Sequence, residues 1–495
     1  MSSFNKLYNI VISAVCMGIA QHPLGLGWLS WFCLVPLFLS IKESRRFRDT
    51  FLNVFIWAFI YHLVSLYWLA DNIGISERYI AFITMLLSNI ICTVNVLIVF
   101  SIWHFINFLS GKKVWYTLPF IWTMVDYIRS LGQLSFPWAS IANTQAQESL
   151  LPMIQFVELT GMFGVTFWVV SLNISILYLF INRDKNRIIE SVGIFLLPLI
   201  IGLIIKGGDL KNIERINFAI LQPNIHIDDK NKNLNVLDRH ILKSDKHDLR
   251  NTLLIWPETA FNHHFSDNNK KIQNTFLGTN VSLLTGVLER SDKNLYNSIY
   301  YLKNNNRYSL KNAERYRKIK LVPLAEHVPF TGIFPFLEKI ALSGNFSKGD
   351  EYTLFKYKDS AFGAMVCIES IYPGLSRDFV NRGAQFLVYV ANDGWYLNPP
   401  EAQQHAKQTI FRAIETRKPV LRCGNTGITW VVSPDGEILK RLDHNEDGIL
   451  LSDDIDVFSN NTKTLYVMIG DWIAYISMIV IFYLISTGLI RKYKK

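Results

Sequence analysis

GAMVCIES, residues 363–370, is a short apolar run that leads into Cys367, with Glu369 just beyond it and the turn-prone SIYPG overlapping its end. A cysteine in this setting has two readings. It is either a small apolar group packed into a core, or a thiol presented at the end of a strand as a nucleophile. The rest of the chain bears on the choice.

The 495 residues are 50% hydrophobic and 14% aromatic, with only 18% charged, a balance too apolar for an ordinary soluble protein. A membrane is implied. The formal net charge of +10 raises the question of nucleic acid, but the basic residues flank apolar runs, which argues against it. A helix needs roughly 17–25 apolar residues to cross a bilayer. On that standard about eight transmembrane helices are expected, near Val11 to Leu26, Leu29 to Ile41, Phe51 to Leu69, Ile80 to Phe108, Trp115 to Ile128, Val157 to Ile181, Ile188 to Ile205 and Trp472 to Ile490.

Lys6, then Lys42, Arg45, Arg46 and Arg48, then Lys112 and Lys113, then Arg183, Lys185 and Arg187, and finally Arg491, Lys492, Lys494 and Lys495 fall on alternate connections. Because Lys and Arg collect on the cytoplasmic side, both termini are expected inside and the long segment between the seventh and eighth spans outside. The expected organisation is a transmembrane domain over 1–207, an extracytoplasmic domain over 208–465, and a last helix with a basic tail over 466–495. The first span lacks a convincing small-residue cleavage site and is expected to stay in the membrane. A transporter marks its path with ionisable residues inside its spans; here His62, Asp71, His104 and Asp126 are few and mostly near span ends.

Of the five cysteines, Cys16, Cys33 and Cys92 lie in apolar spans, while Cys367 and Cys423 lie in the external segment. An oxidising compartment permits a bridge between the last two. In that segment the texture changes: Asn, Asp and Lys become frequent and apolar runs shrink to strand length. Strands are expected at 216–222, 252–257, 282–289, 297–303, 318–323, 361–368, 385–391, 418–423 and 428–433. EAQQHAKQTIFRAIETR (401–417) has helical periodicity that places Ala402, His405, Ala406, Thr409, Ile410 and Ala413 on one face. Strands alternating with helices indicate a layered α/β domain. The DG of SPDGEIL (433–439) marks a hairpin, and the polar stretch 231–248 reads as a solvated surface segment.

Three ionisable residues stand at strand ends here: Glu258 in IWPE, Lys318 at the start of KIKLVP, and Cys367. Singly, each is ordinary: a solvated turn acid, an edge lysine, a core cysteine. Together they supply what acyl transfer through sulfur needs. A nearby ammonium or a helix opened by Pro373 favours thiolate, Glu258 can accept and return protons, and Lys318 with backbone N–H groups can meet a developing oxyanion.

IWPE, then Tyr316-x-Lys318 with LVP (321–323), then VCIE resemble in order the Glu, Lys and Cys motifs of the nitrilase (carbon-nitrogen hydrolase) superfamily. Further stretches resemble its membrane-bound branch, the apolipoprotein N-acyltransferase family: ILQPNI (220–225), TGVLE (285–289), YNS (296–298), NDGWY (392–396), QQH (403–405), the run 412–427, SFPW (135–138) and GDW (470–472). The similarity covers nearly the whole chain. It implies a nitrilase-like αββα sandwich and a catalytic set of Glu258, Lys318 and Cys367, with Glu326 and Glu369 in support. Lys320 shares strand parity with Lys318, so motif spacing alone selects between them. Departures are Leu324 and Ala325, where Phe and Gly are common, Asn231, where Trp is common, and Asp126, where Glu is expected.

The resemblance further implies a phospholipid acyl donor, a Cys367 thioester, and a diacylglyceryl-modified apolipoprotein whose N-terminal amine is the acceptor, all at a bacterial inner membrane. No cofactor is implied. No metal motif is present, and His263 and His264 have no partners at useful spacing. Trp138, Trp395 and Tyr396 are the candidate lipid-facing aromatics, with an aromatic belt as the plainer reading. Because water competes for a thioester, mobile loops are expected at 341–350 or 392–400. Two other readings remain: a tethered amidase that delivers the acyl group to water, and an inactive scaffold, against which an intact Glu258, Lys318 and Cys367 argues.

Overall fold

The computed structural model describes residues 3–44, 46–75, 77–205, 210–226, 240–241, 243–244, 249–262, 272, 274–275, 280–291, 294–303, 313–331, 346–396 and 400–494. His263, His264, Asn231, most of 231–248, and the stretches 341–345 and 397–399 lie outside the described residues. The chain divides into two compact units: Met1–Asp71, Glu77–Gly208 and Ile469–Lys495 form one, and Asn72–Ser76 with Asp209–Met468 form the other.

The first unit is helical. Among the described residues, five helices are long and apolar enough to cross a membrane: Phe47–Asp71, Arg78–Ser110, Met162–Asn182, Lys185–Ile205 and Trp472–Tyr493. The other three expected spans are shorter or interrupted. Ser3–Ala20 is a single helix, the second breaks into Gly27–Trp31 and Leu34–Lys42, and the fifth shrinks to Leu118–Ile128.

Backbone groups freed by such interruptions need protein partners where water is absent, and the unit supplies them. The Asn173 side chain accepts from Leu34 N–H at 2.9 Å and donates to Ser30 C=O at 2.8 Å, closing both sides of the break. Pro198, inside Lys185–Ile205, cannot bond the carbonyl of Ile194; the Trp168 indole N–H takes that carbonyl at 2.9 Å. Asp126 accepts from Ser140 Oγ at 2.6 Å and Thr166 Oγ1 at 3.0 Å, and lies 3.4 Å from Arg129, so the expected glutamate is replaced by a shorter acid that still anchors the chain after SFPW.

The second unit is built on two sheets. One has the spatial order Ile438–Leu442, Thr429–Val432, Val420–Gly424, Phe386–Ala391, Ser360–Val366, Leu354–Tyr357, with the middle three strands parallel. The other runs Gly448–Leu451, Phe218–Gln222, Leu253–Ile255, Ser282–Ser291, Asn294–Leu302, Glu314–Arg317, with Phe261–Asn262 against Ser282–Ser291. Their inner faces meet: Tyr301 of the second sheet stands edge-on to Phe355 and Phe362 of the first, both centroids at 5.5 Å. The parallel strands are buried on both faces and, Arg422 aside, largely apolar, as strands covered on both sides are. The helices Pro373–Asn381 and Gln408–Thr416 accompany the first sheet.

The single helix expected over 401–417 is two, Glu401–Ala406 and Gln408–Thr416, and the face placed by periodicity is buried throughout. A small ladder of Asn212–Arg215 with Phe458–Asn460 joins the beginning and end of the unit.

Candidate active site

Parallel strands in register end together. Val366 is opposite Val390, so Cys367 and the Asn392–Asp393 pair leave the first sheet side by side. In the second sheet Ile220, Ile255 and Leu284 are aligned, so Trp256-Pro-Glu258 emerges at the same kind of edge. The turn carrying Glu258 lies directly on Gly286: a Cβ there would meet Glu258 Cα at 2.5 Å and Pro257 O at 2.6 Å. This is the physical reason for glycine in TGVLE.

The strand expected at 318–323 ends instead at Arg317. Lys318 N–H still bonds Asn297 C=O at 2.9 Å. The next two amides, of Ile319 and Lys320, bond the Glu369 carboxylate at 2.7 and 2.9 Å, so no neighbouring strand can take them. Glu369 also accepts from Val366 N–H and Tyr316 Oη, each at 2.7 Å. One buried carboxylate thus ties the loop bearing Lys318 to the turn bearing Cys367. Burial raises the pKa of Glu369, against the opposing effect of these donors and of Lys318.

Lys318 is 1% exposed. Its ammonium bonds Glu326 Oε1 at 2.7 Å and stands 3.8 Å from Glu258 Oε1. Burial disfavours that charge, but Glu326, Cys367 and Glu258 outweigh it and hold the pKa well above the ordinary lysine range. Glu326 is fixed by Val322 N–H at 2.8 Å and by a tight loop in which Leu324, at φ +67°, bonds His327 C=O through its N–H at 2.8 Å. The departures at Leu324 and Ala325 therefore leave a closed turn. Lys320 goes elsewhere, over the Tyr372 ring at 5.0 Å.

Cys367 opens a 3-10 turn, Cys367–Ile371, and has φ +52°, the left-handed region that an L-residue occupies at a cost. It retains partial exposure while dense protein surrounds its sulfur. Burial, then the Glu258 charge, push its pKa well above the usual thiol value, and Lys318 only partly offsets them. The surroundings of the sulfur as a whole thus disfavour the thiolate more than Lys318 favours it. The helix opened by Pro373 starts beyond the 3-10 turn. All five cysteines are free; Cys423 donates to Leu221 C=O at 3.2 Å, so the bridge to Cys367 is not formed.

Two features were not read from sequence. Asn297, quoted only within YNS, donates from Nδ2 to Glu258 at 2.6 Å and to Glu326 at 3.3 Å, linking the two carboxylates that flank Lys318. Behind Cys367, Asp393, His405 and Arg422 form a buried chain, with Glu401 beside it. Asp393, Glu401 and His405 have the spacing of a metal cluster, but Arg422 already donates to Asp393 at 2.8 Å, filling that role with a guanidinium.

The aromatic candidates divide. Trp395 is 39% exposed, whereas Trp138 is 4% exposed, stacked on Phe136 and tilted against Trp68. Tyr396 is half-buried and its hydroxyl accepts from Asn72 at 3.2 Å. Of the three, Trp395 alone has the exposure expected of a lipid-facing ring. The described part of the expected lid at 341–350 is pinned: Phe346 N–H bonds Glu326 C=O at 2.9 Å and Gly349 N–H bonds Lys318 C=O at 2.8 Å.

A cysteine at a strained strand end, a buried lysine between two glutamates, and a two-sheet α/β framework define a carbon-nitrogen hydrolase domain; residues 217–457 match the carbon-nitrogen hydrolase family. Residues 13–175 match the apolipoprotein N-acyltransferase N-terminal domain. The chain is 30% identical over 442 residues to the apolipoprotein N-acyltransferase of Chlorobaculum tepidum, covering 81% of each. It is 27% identical over 499 residues to that of Thermotoga maritima, covering 96% of this chain and 92% of the relative. An amidase from Nesterenkonia sp. of known structure is 16% identical, with a TM-score of 0.38 over 51% of this chain and 94% of its own. The chain belongs to the apolipoprotein N-acyltransferase family.

Proposed function

We propose that this enzyme transfers an acyl chain from a membrane phospholipid to the α-amino group of an N-terminal diacylglyceryl-cysteine, through a thioester on Cys367. The observation that carries the proposal is the cluster in which Lys318 lies 2.7 Å from Glu326 and 3.8 Å from Glu258, while Glu369 ties the loop of Lys318 to the turn of Cys367.

In the first half, Glu258 takes the thiol proton as sulfur attacks the ester carbonyl. The Lys318 ammonium and an N–H of the Cys367 turn meet the developing oxyanion. As the C–O bond breaks, Glu258 passes the proton to the glycerol oxygen, and a lysophospholipid leaves. In the second half the acceptor amine attacks the thioester, Glu258 takes an amine proton, and the proton returns to sulfur as the amide forms. Glu326, fixed by Val322 N–H and Asn297, keeps Lys318 charged and in place, which leaves Glu258 free to exchange protons.

Both substrates keep their chains in lipid, since extraction costs about 0.8 kcal/mol per methylene. The eight apolar segments are read as eight spans with both termini cytoplasmic, which puts the catalytic unit on the outer side of a bacterial inner membrane. Family membership supports an amine acceptor over water.

The test is incubation with phospholipid labelled in its acyl chain. A hydroxylamine-labile adduct is expected on the wild type and not on Cys367→Ala, followed by passage of label to a diacylglyceryl-cysteine peptide. Release only as free fatty acid would make the enzyme a hydrolase.

A further inference from the structure

Arg422, Asp393 and His405 are all buried, at 0%, 2% and 1% exposure, and none takes part in the chemistry above. Burying an ion pair and an imidazole carries a desolvation cost that needs a return. Arg422 Nη2 donates to Asp393 Oδ2 at 2.8 Å, Asp393 Oδ1 is 2.7 Å from His405 Nδ1, and His405 Nε2 is 3.0 Å from the carbonyl oxygen of Cys367. The site is shaped for this chain: a Cβ on Gly427 would lie 1.9 Å from Asp393 Oδ2. Its far end is a single main-chain bond to the residue with the strained φ of +52°.

A carbonyl only accepts, so Nε2 carries a proton. Nδ1 lies 3.2 Å from Arg422 Nη2 as well as 2.7 Å from Asp393. A neutral ring accepts from the arginine there, a protonated ring donates to the aspartate, and in either state Nε2 still donates to Cys367. A trans peptide sets N–H opposite to C=O. Fixing the Cys367 carbonyl on His405 therefore turns the Ile368 N–H the other way.

We propose that His405, set by Asp393 and Arg422, is a positioning residue that locks the 367–368 peptide so that the Ile368 N–H serves as an oxyanion donor to the acyl group on Cys367. This rests on the acyl-enzyme reading. It adds that the imidazole acts through the backbone, not as a base.

The two kinds of reaction at sulfur separate the possibilities. Acylation develops an oxyanion; alkylation by iodoacetamide does not. Both are followed at the Cys367 peptide by mass spectrometry, using labelled phospholipid for the first. In His405→Leu, acylation is expected to fall about 10²–10³-fold, the effect of losing one oxyanion donor, with alkylation within about threefold of wild type. His405→Gln, whose amide can reach the same carbonyl, should recover at least about a tenth of wild-type acylation on the same scale.

Unchanged acylation in His405→Leu overturns the proposal. If both rates collapse together in His405→Leu, His405→Gln decides: recovery of acylation upholds the proposal and continued loss overturns it. A wild type that alkylates at Cys367 but never forms a hydroxylamine-labile adduct would instead remove the acyl-enzyme reading beneath it.

Discussion

Lys318 and Lys320 show how little a side chain's identity says before its surroundings are known. Both lie on the same short stretch, and alternation could not separate them. Lys318 is sealed between Glu326 and Glu258, while Lys320 lies over Tyr372, its pKa lowered by burial and by Lys348. Replacing a charge that stabilises an oxyanion costs about 10²–10³-fold in rate. Lys318→Met is therefore expected to reduce acyl-enzyme formation by at least about that factor. Lys320→Met removes a cation–π contact of about 1 kcal/mol and an attraction to Glu369, and should stay within about fivefold of wild type. Single-turnover acylation of the two variants checks this, and equal losses would undo the assignment of Lys318.

At the scale of elements, the site is an arrangement of strand ends held by backbone contacts. Glu258 rides on Gly286, Lys318 leaves its strand because Glu369 captures the next two amides, and Gly349 lies so close to Arg317 that a Cβ would meet its carbonyl at 2.1 Å. Gly286→Ala should force the 257–259 turn outward, because the obstructing atoms are backbone. Overpacking of this kind costs about 1–3 kcal/mol. A displacement of about 1 Å at a reacting group costs about 100-fold in rate. The expected result is a folded, somewhat less stable protein, measured by thermal unfolding in detergent, with acylation reduced about 100-fold. Wild-type acylation in Gly286→Ala would show that the turn tolerates the shift.

For the whole molecule, function depends on where the catalytic unit faces. Single cysteines at Lys112, on a connection expected inside, and at Asp453, on the catalytic unit, are both at exposed positions. A membrane-impermeant maleimide should label Asp453→Cys in intact spheroplasts and Lys112→Cys only after permeabilisation. The reverse pattern would place the enzyme on the wrong side for the proposed acceptor. Lys185–Ile205 and Trp472–Tyr493 bury little of their apolar length, 17% of each window, as lipid-facing helices would.

The sequence by itself determined the membrane-borne α/β plan, because apolar length and strand-length runs are local properties. It also pointed to Glu258, Lys318, Cys367, Glu326 and Glu369 through motif order. The tertiary structure decided what depends on contacts between distant stretches. The 318–323 strand gave way to a loop because Glu369 competes for its amides, and burial with the Glu258 charge pushes the Cys367 pKa up more than Lys318 draws it down. Asn297 between the carboxylates and the Arg422–Asp393–His405 chain behind the nucleophile join residues far apart in sequence. No local pattern encodes such a meeting, since hydrogen bonds of this kind exist only once the strands are in register.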